Sequence, residues 1–221
     1  MSFLTDLFTD IEVNQHLRDA HRKGEEKKDA FLAEDAELPA DKDAVVFLDP
    51  RDGQKYRTVK MGEQTWFAEN FRFVPQGSEL GDYTYDNDES YAAKYGCLYD
   101  WESAKALCPE GWHLPTDEEW VAMLEVAHNK ASELRAASWK GSDDFGMSVY
   151  PAGVRRSADN LFRERMGAEF DLFGESAFFW SASEYNSERA MAWFTNDDYE
   201  NFETGKRNIA SGYSVRYVKN A

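Results

Sequence analysis

Cysteine is nearly absent from this 221-residue chain, which has only Cys97 and Cys108. Two thiols do not make a disulfide scaffold, and these have neither the CxxC spacing of a zinc site nor a neighbouring histidine. Whether they pair depends on where their β-carbons sit, and two free, mostly buried thiols are the expectation. Histidine is almost as scarce, with four residues. His16 and His21 fall in a polar N-terminal stretch and His128 at the end of a predicted helix. His113 lies within GWHLP beside an aromatic ring and reads as a structural imidazole, since nothing at a fixed spacing marks a base's partner. HExxH, GxSxG, the P-loop and the Gly-rich dinucleotide fingerprint are all missing. The expectation is a protein that is not an enzyme and needs no cofactor.

Basic charge is also short. Twenty-five Lys and Arg stand against 42 Asp and Glu, for a net charge of −17 and a pI near 4.6. A phosphate backbone is repelled by that field, so no nucleic-acid partner is expected, and anionic membrane surfaces are disfavoured. No run approaches the 18 or more apolar residues of a membrane span, so membrane insertion is not expected. The start, MSFLTDLFTDIEVNQH, lacks a basic n-region and is interrupted by Asp6 and Asp10, unlike a secretory signal. Location stays open between the cytoplasm and export by another route. Neither internal repeats nor low-complexity tracts are found.

Aromatic rings are what the chain has, and they are unevenly placed. Residues 1–44 hold 12 acidic and 6 basic side chains and three Phe, whereas the other 30 of 33 aromatics lie in residues 45–221. A ring-built core therefore belongs to 45–221. In 1–44, a charged helical arm, Leu4, Leu7, Phe8 and Ile11 keep the i, i+3, i+4, i+7 spacing of an amphipathic helix. Gly24 and EEKKD weaken that helix, and Phe31 and Leu32 begin a second one before Pro39. Such an arm packs its stripe on a partner, as a homo-oligomer or docked into a larger assembly, folds back on its own domain, or frays.

The second region reads as short strands and two or three helices. AVVFL is a buried-strand candidate followed by the turn-rich DPRDG. KYRTVKM and QTWFAEN flank Gly62-Glu63, the Gly-first pair of a type II′ hairpin. Asp100 caps a short helix ending before Pro109. Thr116-Asp117-Glu118-Glu119 is a capping box, and Trp120, Met123, Leu124 and Ala127 mark that helix's buried face. GMSVY, FFWSASEY and SGYSVRYVK are β-type runs. The best metal candidate, Asp86, Asn87, Asp88 and Glu89, offers hard oxygens for calcium but fails the EF-hand spacing and reads as turn chemistry. No metal site is assigned.

The strings DPRDGQKYRTVKMGEQTWFAENF, YDNDES, KYGCLYDWESAKALCPEGWHLPTDEEW, SDDFGMSVYPAGVR, FFWSASEY and SGYSVRYVK, in this order over about residues 47–219, resemble the Fibrobacter succinogenes major paralogous domain. The family looks like a branch of the C-type-lectin-like fold, and LPTDEEW is also similar to the helix start of formylglycine-generating enzymes. The resemblance implies an α+β, C-type-lectin-like domain of short twisted antiparallel sheets. It also implies a framework of Trp66, Asn70, Trp112, Trp120, Trp180 and Arg216. Family members usually carry a cysteine where this chain has Tyr217, which suits a reducing compartment. Oxidising enzymes of that architecture use late cysteines, and none follows Cys108, so their chemistry is excluded.

Between the last two motifs lie Tyr185 to Ala210. Tyr185, Asn186, Arg189, Trp193, Asn196, Asp198, Tyr199 and Asn201 combine rigid rings with amides and a guanidinium, the chemistry of recognition. Read structurally, the same run holds one further strand, with MAWF facing inward and NDDYEN as its turn. In lectin-like folds ligand sites commonly sit in this late segment. The layout also resembles variable proteins diversified by retroelements. The leading expectation is an adhesion-type module binding a protein or glycan ligand. Beside it stand a structural or assembly subunit multimerised by the arm, and an enzyme with an unrecognised site.

Overall fold

Gly62 and Glu63 set the first hairpin. The computed structural model describes residues 19, 22–29, 31–32, 45–79, 83–160, 163–164 and 167–220. In it β1 (Val45–Leu48), β2 (Lys55–Met61) and β3 (Gln64–Phe67) form an antiparallel meander. Met61 pairs with Gln64 across the two-residue turn, where Gly62 has φ 61° and Glu63 does not turn left-handed, as type II′ requires. AVVFL does form a strand, but not a buried one. Val45, Val46 and Leu48 are exposed because β1 is an edge strand that, among the described strands, pairs with β2 alone. Apolar character alone does not tell a central strand from an edge.

Three helices follow: α1 (Ala92–Tyr95), α2 (Trp101–Ala106) and α3 (Asp117–Val126). Asp100 caps α2 by accepting from Ser103 N at 2.8 Å. At α3 the capping box closes: Thr116 Oγ1 accepts from Glu119 N, and Glu119 Oε2 accepts from Thr116 N at 2.9 Å. Trp120, Met123, Leu124 and Ala127 are buried. The Trp120 ring meets Trp66 edge-on at 5.1 Å and stacks on Trp193 at 6.2 Å. Each such pair adds about 0.5–1.5 kcal/mol beyond the area it buries.

A second sheet, in the order β5-β4-β6-β7-β8, comes from β4 (Ala152–Arg155), β5 (Phe170–Phe173), β6 (Ser176–Asn186), β7 (Arg189–Asn196) and β8 (Glu203–Asn208). Its pairs are antiparallel except β4 with β6, which meet in parallel at Gly153 and Ala177. Glycine is required at 153: φ is 68°, and a β-carbon would sit 2.6 Å from the Asp171 carbonyl oxygen. The chain end, β9 (Val218–Asn220), returns to β3 and completes a sheet of order β1-β2-β3-β9. The fold is mixed α+β, with two sheets and few helices.

Three β-type expectations are corrected. GMSVY is not a strand: Ser148 takes φ 45° and is held through its N–H and hydroxyl by Asp143, so the chain turns and only Val149 bridges, to Arg135. SGYSVRYVK is a strand only at Val218–Asn220. Upstream it changes partner at nearly every step, bridging Gly212 to Arg155, Tyr213 to Tyr99 and Ser214 to Phe179 before Val215 and Tyr217 accept from Phe71 and Phe67. It stitches the two sheets together. The late segment holds two further strands, β7 and β8. ETGKRN was unreadable as strand because, among the described strands, it pairs with β7 alone and its side chains stay exposed or half-buried.

Five of the six framework residues are buried, with Trp112 half-buried against Phe67 at 4.5 Å. Arg216 is a fully buried cation. Its Nε donates to Asn70 Oδ1 at 2.7 Å, its Nη1 to the Met147 and Phe67 carbonyls and its Nη2 to the Ser148 carbonyl. Burial lowers its pKa to about 9, a cost that four hydrogen bonds offset. Tyr217, where the resemblance implies a cysteine, fills its space as a buried ring and donates to the Ala104 carbonyl at 2.7 Å.

Leu4, Leu7, Phe8, Ile11, His16, His21 and Pro39 lie outside the described residues. Residues 22–29 and 31–32 are helical, so Gly24 and EEKKD do not break the helix. Arg22 pairs with Glu26 at 2.8 Å one turn on. Gly24 gives clearance, since a β-carbon there would stand 3.1 Å from Glu175 Oε1. Phe31 is buried against Tyr95 and Phe173, with ring centroids near 6 Å. Lys27 pairs with Glu175 at 2.9 Å and Lys28 with Asp86. This part of the arm packs on the domain.

Candidate functional site

Strands β6, β7 and β8 form a meander whose turns are held by asparagine. At the β6–β7 turn Asn186 Oδ1 accepts from Glu188 N at 3.0 Å. At the β7–β8 connection Asn196 Oδ1 accepts from Asp198 N and Tyr199 N, at 3.0 and 2.9 Å, and Thr195 Oγ1 donates to the Asn201 carbonyl. The eight residues of β7 place these turns on the order of 20 Å apart.

The eight residues singled out in the sequence therefore divide. Tyr185, Asn186 and Arg189 share one end, and Asn196, Asp198, Tyr199 and Asn201 share the other. Trp193 belongs to neither surface. It is 7% exposed, stacks on Trp120, and donates from Nε1 to Asp117 Oδ1 at 2.9 Å. Its inward place is the one that the structural reading of MAWF gives it, and the centre of β7 is buried on both faces, with Ala192 and Trp193 both buried.

At the first end the meander faces β4 and the returning chain across a cleft of about 340 Å³. One wall is Val154, Arg155, Arg156, Ser157 and Asn160. Opposite stand Arg189, Lys206, Arg207 and Asn208, with Phe178, Ser211 and Tyr213 completing the lining. Among the described lining residues five are cationic and none is acidic, in a chain where acids outnumber bases 42 to 25. Arg156 is tied to Asp171, and Asn208 donates to Asp159. Among the described residues no carboxylate forms an ion pair with Arg189, Lys206 or Arg207.

Arg207 is held without neutralisation. Its guanidinium lies 4.9 Å from the Phe194 ring centroid and 5.8 Å from that of Phe178, and Nη1 donates to the Lys206 carbonyl. Gly205 leaves the space it occupies, for a β-carbon there would fall 3.0 Å from Nη1. Lys206 places its ammonium 3.7 Å from the Tyr185 ring centroid. Of this cluster the sequence had singled out Arg189 alone. The missed signal is two adjacent cation pairs, Arg155-Arg156 and Lys206-Arg207, in an acidic chain.

Elsewhere the reactive groups are restrained. Cys97 and Cys108 are free thiols, both pushed up to about 12 by burial. His113 Nε2 meets Glu119 Oε1 at 2.7 Å, on the carboxylate that closes the α3 capping box. In YDNDES, Asp88 caps Ser90 N and Asp86 is paired to Lys28, so two of the four candidate ligands are already engaged. Among the described residues no three His, Cys, Asp or Glu gather as metal ligands.

Comparison with protein families gives a match of residues 59–219 to the model described as the Fibrobacter succinogenes major domain. Comparison with curated proteins gives no match.

Proposed function

We propose, for a chain that belongs to the Fibrobacter succinogenes major domain family, a non-catalytic role: a recognition module that binds a protein or glycan ligand at the β6–β7 end of the meander. The observation that carries this reading is the cleft there, walled by side chains from strands β4, β6, β7 and β8 of one sheet, from the chain after β4 and from the returning chain. Its walls are regular strands cross-braced by Gly212 against Arg155 and Tyr213 against Tyr99, the pre-formed support that recognition needs. The absence of a catalytic role is supported by thiols held protonated and by a His113 committed to a helix cap. The finer architecture we infer is C-type-lectin-like, supported by two short sheets and by β9 returning to pair with the first hairpin.

The test is a screen of the full chain over glycan arrays and purified cell-surface proteins, with Tyr185→Ala/Arg189→Ala and Tyr199→Ala/Asn201→Ala as paired controls. The reading expects binding lost in the first pair and kept in the second. An empty screen, or loss only in the second pair, overturns it. Trp193 is unsuited to such a control because its ring is in the core.

A second reading, an assembly subunit, draws on the exposed Val45, Val46 and Leu48 of edge strand β1. Sedimentation of the full chain and of Val46→Lys separates the two: a defined oligomer dissolved by that change favours assembly.

A further inference from the structure

An acidic chain that brings five cations around a small opening, and leaves Arg189, Lys206 and Arg207 without an ion pair among the described residues, concentrates positive potential against a strongly negative net charge. We propose that the cleft between β4 and the β7–β8 hairpin binds a compact oxyanion-bearing molecule of about monosaccharide size, through carboxylate, sulfate or phosphate groups. This deepens the recognition reading, on which it rests.

Three observations carry the assignment. The first is composition: Arg155, Arg156, Arg189, Lys206 and Arg207 line the cleft with no acid among its described lining residues, and while Arg156 is paired with Asp171, Arg189, Lys206 and Arg207 meet no described carboxylate. Like charges held together raise the energy of the unliganded protein, and a bound anion relieves that cost. The second is preorganisation. Arg207 is stacked over Phe194, bonded to a backbone carbonyl and given clearance by Gly205, without being discharged by a carboxylate. A guanidinium so fixed offers its remaining N–H groups as a planar fork matched to an oxyanion. The third is size. A cleft of about 340 Å³ lies near the lower end of small-ligand sites. A long polyanion reaching beyond it meets a chain of net charge −17. Ser157 and Ser211 on the walls supply hydroxyl groups for a ligand's neutral part.

The experiment is calorimetric titration of the full chain at low ionic strength with glucuronate, glucose 6-phosphate, inorganic phosphate and sulfate, with glucose as the neutral analogue. The expected result is at least tenfold tighter binding of an acidic probe than of glucose, weakening steeply with added salt. Tight phosphate or sulfate alone identifies the group as a bare oxyanion, and a further gain with a sugar acid identifies a sugar-borne one. Arg207→Gln is expected to weaken binding at least tenfold. Gly205→Ala keeps every charge but displaces the Arg207 guanidinium, and a loss of threefold or more at unchanged melting temperature supports the geometry. If Arg207→Gln lowers the melting temperature, Arg189→Gln, at an exposed site, takes its place with the same expectation.

Equal affinity for glucose and the acidic probes overturns the proposal, as does unchanged affinity in both Gly205→Ala and the arginine variant. A single-stranded oligonucleotide that displaces the sugar acids at lower concentration overturns the compact-ligand assignment. The two readings fail separately. A neutral ligand captured by the screen and dependent on Tyr185 but not on charge sinks the oxyanion and keeps recognition. Probe binding beside an empty screen sinks protein or glycan recognition alone.

Discussion

The two ends of the β6–β8 meander share three strands and one turn device, yet their polar groups are differently occupied. At the β7–β8 end Asn196 gives its side-chain oxygen to two backbone N–H groups and its carbonyl to Arg135, while Asp197 is paired with Lys140 at 2.6 Å. At the β6–β7 end Asn186 holds its turn, but Arg189, Lys206 and Arg207 carry charge that no described carboxylate neutralises. A count of Tyr, Trp, Arg and Asn rated both ends alike. Recognition capacity lies in donors and acceptors left over after the fold has used its share.

The comparison breaks most severely at the centre both ends share. Trp193→Ala removes a ring stacked on Trp120 and a hydrogen bond to Asp117, the latter in the first turn of α3. The expected cost is about 3–5 kcal/mol, from the transfer and cavity terms together. Urea denaturation reads it directly. A loss below about 1 kcal/mol would mean the ends do not rest on a common core.

The next effect isolates one end. Asn196→Ala leaves the N–H groups of Asp198 and Tyr199 without their acceptor, at a cost of about 1 kcal/mol. Oxyanion affinity at the distant cleft is expected to stay at the wild-type value in the same preparation. A matching loss of affinity would show the ends to be coupled. Smaller again is Lys140→Ala: the Lys140–Asp197 pair is largely on the lysine side exposed, so the expected change is about 0–1 kcal/mol. Denaturation at two salt concentrations checks it, because a surface pair weakens as salt rises.

What could be read in the sequence follows the range of the interaction. The capping box at Thr116 and Glu119, the Asp100 cap and the Gly62-Glu63 turn are closed by neighbours along the chain, so residue spacing reveals them. FFWSASEY was legible as strand because its apolar face is buried. The family motifs carried the framework, and five of six positions are buried. The cleft was not legible. Arg155 and Arg207 are about fifty residues apart, and what joins their walls is the parallel contact of Gly153 with Ala177 and the bridge of Arg155 to Gly212. Neither contact has a local signature. The exposure of β1 was hidden for a related reason, since the run Val45–Leu48 does not state how many neighbours it will have.

The finest sharpening concerns how much of Lys206 belongs to the cleft. Its ammonium lies over the Tyr185 ring, and its hydrogen bond and charge favour the phenolate, so Tyr185 titrates below the ordinary tyrosine value. Burial moves Tyr56, Tyr85, Tyr99, Tyr213 and Tyr217 the other way, which leaves Tyr185 among the earliest tyrosines to ionise. As pH rises its phenolate forms sooner than it would beside a neutral residue. Lys206→Met is expected to move that first transition upward, as followed by NMR of ring-labelled tyrosine. If the transition stays in place, Lys206 does not hold the ring, and its full charge is counted with Arg189 and Arg207. If it moves, a saturating acidic probe provides the second reading. An anion drawing Lys206 toward the cleft releases Tyr185 and raises its titration in the wild type, while one held by the arginines alone leaves it unchanged.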